Sequence, residues 1–200
     1  MGVYKLSTAG GLATPRTNYS SFLAGNPAYQ IPNSYESIAT VTVGSGGTAN
    51  VEFTSIPATY THLQVRGIGR GSFTDLTMRF NSDTGNNYSS HRLYGTGSSV
   101  GTDGEDSSGA YGTFILYAGR LSSAASVFCA NIIDIFDYAN TNKYTTSRSL
   151  YGFDENGSGN IFLASGNWRN TNAITTIRLT PNSGTISEYS QFALYGIKGA

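Results

Sequence analysis

From residue 36 onward, apolar and polar residues alternate with the period of two that a half-buried β-strand imposes. Residues 38–43 are β-branched and alternating, and Gly44-Ser45-Gly46-Gly47 closes them with a turn. Residues 51–56 set Val51 and Phe53 on one face against Glu52 and Thr54 on the other, and Pro57 ends the run. A strand is expected at 63–70, with Gly67 marking a bulge that resets the alternation. In 76–80 the pattern is cleanest: Leu76, Met78 and Phe80 point one way, Thr77 and Arg79 the other. The cluster Asn81-Ser82-Asp83-Thr84-Gly85-Asn86-Asn87 predicts a turn, 88–94 a strand, and 95–109 a long polar loop. Strands resume at 111–117 and 127–136. The latter is apolar on both faces, Phe128, Ile132 and Phe136 against Ile133 and Ile135, which predicts a central strand. Segments 143–151, 160–164, 173–180 and 190–197 complete the set.

Ten or eleven short strands, separated by Gly/Asn/Ser turns and without a helix of ordinary length, predict an all-β fold. The expected architecture is an antiparallel β-sandwich of jelly-roll type. No fixed period repeats along the chain, which argues against a propeller or β-helix. Residues 1–35 read differently. They lack alternation and hold three of the five prolines, Pro15, Pro27 and Pro32. An extended N-terminal anchoring arm is expected there, with one short helix over 19–24 capped by Asn18 and stopped by Gly25. Such arms order by lying on a neighbour, and Tyr19, Phe22 and Leu23 are its expected anchoring side chains. The sandwich domain then spans 36–200.

Charge narrows the function classes. Charged residues are only 12% of the chain, and the formal net charge is zero. Nucleic-acid binding draws on a basic patch that displaces counterions, and no run of Lys or Arg supplies one. No apolar stretch is long enough to span a membrane, and the N-terminus lacks the apolar core of an export signal. The expectation is a protein made in a cytoplasm. Cys129 is the single cysteine and sits in an apolar run, so it reads as a small buried hydrophobe.

Catalytic chemistry finds little support. Only His62 and His91 are available as imidazoles, and no nucleophile elbow, zinc helix or phosphate loop is present. Asp134, Asp137, Asp154 and Glu155 are the carboxylates a glycosidase reading would draw on, but turn chemistry and capping account for most of them. The spacing Asp154, Asn156, Ser158, Asn160 resembles the start of a calcium loop; Ser165 stands where a twelfth-position acid is needed, so a plain hairpin loop is preferred. No cofactor, metal or catalytic residue is expected. A carbohydrate site is the stronger candidate, because sugars stack on aromatic faces while Asn, Asp and Arg read their hydroxyls. Trp168 with Arg169, and Tyr88 with His91, are the candidate glycan-binding residues. Against this stands the reading that Trp168 covers a sheet end and the tyrosines serve contacts.

Three stretches carry a resemblance: His62-Leu63-Gln64-Val65-Arg66-Gly67, residues 79–95 from Arg79-Phe80-Asn81 to Leu93-Tyr94-Gly95, and the ending Phe192-Ala193-Leu194-Tyr195-Gly196-Ile197. With Ile132-Ile133-Asp134-Ile135, they resemble a β domain of bacteriophage virion structural proteins, over about residues 36–198. The resemblance implies a tail, baseplate or fibre component, docked on other virion proteins by its arm. It implies a homo-oligomer, a trimer by analogy with fibres, and a host surface glycan as a further candidate partner. A capsid decoration protein is the alternative within the virion, and a carbohydrate-binding module the alternative outside it.

Overall fold

A computed structural model describes residues 34–72, 74–106 and 116–199. Among the described residues there is no helix, and twelve strands form two antiparallel sheets. The strands are β1 (Tyr35–Thr42), β2 (Val51–Phe53), β3 (His62–Gly69), β4 (Thr74–Phe80), β5 (Tyr88–Gly95) and β6 (Val100–Asp106). They continue with β7 (Leu116–Leu121), β8 (Cys129–Phe136), β9 (Thr145–Asp154), β10 (Gly159–Trp168), β11 (Ile177–Pro181) and β12 (Gln191–Ile197). The larger sheet has the order β1-β12-β3-β8-β9-β10-β5-β6, and the smaller one β2-β11-β4-β7. Residues 1–33 of the arm, with Tyr19, Phe22, Leu23 and the helix expected at 19–24, lie outside the described residues, and Tyr35 opens β1.

Alternation builds the core. Leu63 and Val65 of β3, Ile133 and Ile135 of β8, and Phe192 and Leu194 of β12 face inward from the larger sheet. Leu76, Met78 and Phe80 of β4, Ile177 and Leu179 of β11, and Val51 and Phe53 of β2 meet them from the smaller one. Gly67 is not a bulge, because β3 keeps register with both neighbours through it. Its role is steric: a Cβ there would lie 2.2 Å from the Phe192 ring. The register shifts fall elsewhere, between Ser37 and Ala39 in β1 and between Leu76 and Thr77 in β4.

The fold departs from the sequence pattern at two places. First, β8 is central, between β3 and β9, but buried on one face only. Ile133 and Ile135 point into the core, while Ala130 and Ile132 stand exposed. Among the described residues, the smaller sheet covers one side of the larger, and no strand covers the other. Second, the polar stretch expected as a loop contains β6. Val-Gly-Thr-Asp-Gly-Glu-Asp shows no apolar alternation, and its order comes from the ladder it forms with β5. The expected strand at 111–117 overlaps β7 at Leu116 and Tyr117, and its earlier residues lie outside the described ones.

β5–β6 and β9–β10 are hairpins. Glu155 and Ser158 close the second around Asn156 and Gly157, both in the left-handed region with φ of 58° and 98°. Asn-Gly is the pair that such a turn favours. Because β10 also pairs with β5, the two hairpins merge into a four-stranded wing, β9-β10-β5-β6, at one end of the larger sheet.

Candidate functional site

The open face of the larger sheet carries the most distinctive surface. Residues paired across strands share a face, so the register reads it out directly. One row runs Ile68, Ala130, Gly152, Ile161, Gly95, Val100. The next runs Arg66, Ile132, Leu150, Leu163, Leu93, Thr102. Val100 is 76% exposed, Ile161 61% and Ile68 50%. Gly152 and Gly95 flank Ile161, so the sheet dips on either side of it. A groove of about 510 Å³ lies there, lined by Ile132, Leu150, Gly152 and Ile161 among others. These solvated aliphatic side chains form one contiguous patch rather than single scattered residues.

A polar border runs alongside: Gln64, Asp134, Arg148, Ser165, His91. Gln64 Nε2 donates to Asp134 Oδ1 at 2.6 Å, Arg66 Nε donates to Gln64 Oε1 at 2.6 Å, and Arg148 Nη2 donates to Asp134 Oδ2 at 3.3 Å. His91 is exposed and lies against Gly104, where a Cβ would meet its ring at 2.7 Å. The border therefore holds both signs of charge in a fixed arrangement.

Beneath the wing, charged groups tie the two sheets together. Arg92 of β5 donates from Nε to Asp103 Oδ2 of β6 at 2.7 Å, and its Nη1 lies 3.0 Å from Asp75 Oδ1 of β4 as an ion pair without hydrogen-bond alignment. Arg120 of β7 donates to the same Asp75 oxygen at 2.9 Å. The Arg92 guanidinium sits 4.1 Å from the centre of the Tyr117 ring. Burial disfavours the Arg92 charge, but Asp75 and Asp103 outweigh that and raise its pKa. Two arginines and two aspartates balance, so the cluster is a neutral strut that holds the wing at its position.

The candidate glycan residues do not form one site. Trp168 is fully buried because β10 extends to it and alternates Phe162, Ala164, Gly166 and Trp168 inward. Its Nε1 donates to Asp83 Oδ2 at 2.8 Å, and its ring lies 5.4 Å from that of Phe80. Tyr88 is its cross-strand partner and is equally buried; burial pushes the Tyr88 hydroxyl up to about 12. Neither ring offers a face to a sugar, which corrects the sequence expectation for both. Arg169 is exposed beside them and donates to the Asn86 carbonyl at 2.7 Å, bracing the 81–87 turn. His91 alone faces outward on the sheet. The sheet-cover reading of Trp168 is the one the geometry favours.

The acids named in the sequence each have a partner. Asp137 pairs with Lys143, which lowers its pKa, and lies 3.3 Å from His62. Asp154 Oδ1 accepts the Asn156 amide at 2.8 Å inside the hairpin turn, and Glu155 accepts from the Ser122 hydroxyl. Among the described residues, no cluster of three or more His, Cys, Asp or Glu is arranged to hold a metal ion. Cys129 is buried, and burial raises its thiol pKa to about 12.

Sequence reading misses Ile68, Leu93, Leu150, Ile161 and Leu163. A signal is present, since Leu150-Tyr151 and Ile161-Phe162-Leu163 are apolar on both faces of their strands. Such runs predict a strand covered on both sides; here the second side carries exposed aliphatic side chains.

Comparison with known protein families, with curated proteins and with solved structures finds no match to this chain.

Proposed function

We propose that this chain is a structural subunit of a multi-copy assembly, a phage tail, baseplate or fibre component as its sequence resemblance implies, and that it docks on another subunit through the open face of its larger sheet. The single observation that carries the reading is that face: two rows of aliphatic side chains over six strands, bordered by paired charges. Aliphatic rather than aromatic exposure suits packing against protein, where side chains interdigitate, and offers a sugar ring little to stack on. With Trp168 and Tyr88 inside the core, the carbohydrate-module alternative loses its main support.

Strand order supports the jelly-roll reading within this proposal. Without the wing, the two sheets reduce to β1-β12-β3-β8 and β2-β11-β4-β7, two interlocked four-stranded sheets of the kind that builds viral capsid domains. The wing is then an addition to that frame, and it carries most of the exposed aliphatic surface.

Immunogold electron microscopy of particles from the source lysate, with an antibody to residues 36–200, tests the reading. Label at the tail supports it. Label over the head shifts the role to capsid decoration, and absence from particles refutes the virion assignment.

A further inference from the structure

We infer that the occupant of the open sheet face is a second copy of this chain, paired face to face about a two-fold axis that runs along the strands between β9 and β10. The inference rests on reading that face as an assembly surface, and it names the partner.

Extent locates the axis. The aliphatic rows span the six strands β3-β8-β9-β10-β5-β6, while β12 and β1 present Gln191, Ala193, Thr40 and Thr42 in the same rows. The middle of those six strands falls between β9 and β10. Rotation about an axis there exchanges β9 with β10, β8 with β5, and β3 with β6 of the partner.

The pairing this produces is complementary at every row. In the first row Ile161 projects over Gly152 of the partner subunit, where no side chain blocks it; Ala130 meets Gly95 and Ile68 meets Val100. In the second, Leu150 meets Leu163, Ile132 meets Leu93, and Arg66 meets the uncharged Thr102. In the border, Asp134 meets His91 and Arg148 meets Ser165. These matches follow from the observed register alone. No like charges oppose each other, and no aliphatic group opposes a charge. A two-fold contact needs this self-complementarity, since one patch must fit itself. Aligned sheets cross at about 30°, which a tilt of the axis by half that angle supplies.

Area agrees. Ile68, Leu93, Val100, Ile132, Leu150, Ile161 and Leu163 are 39% to 76% exposed. Together they present on the order of 600 Å² of apolar surface, at the upper end for a lone monomer. Two copies bury about 1,200 Å², where stable specific interfaces begin. A net charge of zero leaves no long-range repulsion between copies.

The test uses the full chain in sedimentation equilibrium across the micromolar range. The expected result is twice the 21.2 kDa chain mass. Ile161→Arg, at an exposed position, should give a monomer with an unchanged far-UV spectrum. Arg178→Gln, on the outside of the smaller sheet, should leave the dimer intact. In a Leu93→Cys/Ile132→Cys variant, the two thiols of one chain stand three strand spacings apart, about 14 Å. A bismaleimide too short for that gap should link copies and give a covalent dimer. A monomer or a trimer for the wild type overturns the inference, as does a dimer that survives Ile161→Arg or one that gives no cross-link. The assembly reading fails separately, if Ile161→Arg enters particles as efficiently as the wild type. If the wild type is monomeric yet Ile161→Arg is excluded from particles, only the second-copy inference falls.

Discussion

Replacing Trp168 by Phe separates a structural tryptophan from a ligand-binding one. The Asp83 carboxylate accepts three hydrogen bonds of 2.8 Å, from Trp168 Nε1 and Asn87 Nδ2 on Oδ2 and from the Gly85 amide on Oδ1. Phe retains an aromatic ring beside Phe80 and Tyr88 but deletes the indole donor. A hydrogen bond to a charged group contributes about 1.5–3 kcal/mol, and the volume lost from a fully buried site adds about 1 kcal/mol. The expected loss is roughly 3 kcal/mol, a large share of a typical stability of 5–15 kcal/mol. Urea unfolding followed by far-UV circular dichroism, at one fixed protein concentration, measures it. The pH dependence carries a second signature. Burial raises the Asp83 pKa, but the donors Trp168, Asn87, Gly85 and Asn170 outweigh it and hold the carboxyl below the ordinary value of 3.8. A depressed acid contributes stability that is present above the unfolded pKa and lost as pH falls through the folded one. Removing the indole donor moves the folded pKa back up, so the Trp168→Phe penalty should shrink as Asp83 becomes protonated. A penalty below about 0.5 kcal/mol, or one that stays constant from neutral pH through the titration of Asp83, refutes the reasoning.

Arg92→Met should lower stability by about 3 kcal/mol, because it removes the cation between Asp75 and Asp103; the partial exposure of Asp103 keeps the loss at the low end for a buried pair. Chemical denaturation measures it, and hydrogen exchange should be fastest in β5 and β6. Gly67→Ala should cost about 1–3 kcal/mol by thermal unfolding, since the new methyl group meets the Phe192 ring. Cys129 should resist a thiol-specific reagent in the native protein and react at once in denaturant, because burial raises its pKa to about 12 and shields it.

Period-two alternation makes the core strands legible in the sequence alone. Leu76, Met78 and Phe80 face inward as their spacing requires, and the Asn156-Gly157 pair marks its hairpin by turn chemistry. β6 is hidden because an edge strand of Gly, Thr and acids has no pattern of its own; its ladder with β5 creates it. Trp168 misleads because its exposure depends on where β10 ends, and two further inward steps of the alternation, Gly166 and Trp168, bury it. Gly67 suggests a bulge, but the demand on it comes from Phe192, 125 residues further along the chain. The sheet face is half legible. Strands apolar on both sides signal two covers, but the alternation within one chain does not say whether the second belongs to the same molecule.

Hydroxyl-radical footprinting of the full-length wild type against Ile161→Arg, read residue by residue, tests most directly whether the open sheet face is a contact surface. Leu93, Leu150 and Leu163 should be oxidised several-fold more slowly in the wild type than in the variant, while Tyr144, exposed before β9 and outside both aliphatic rows, should react equally in both. Equal rates at the three leucines would mean that the face stands open in solution, and would contradict the pairing of two copies through it.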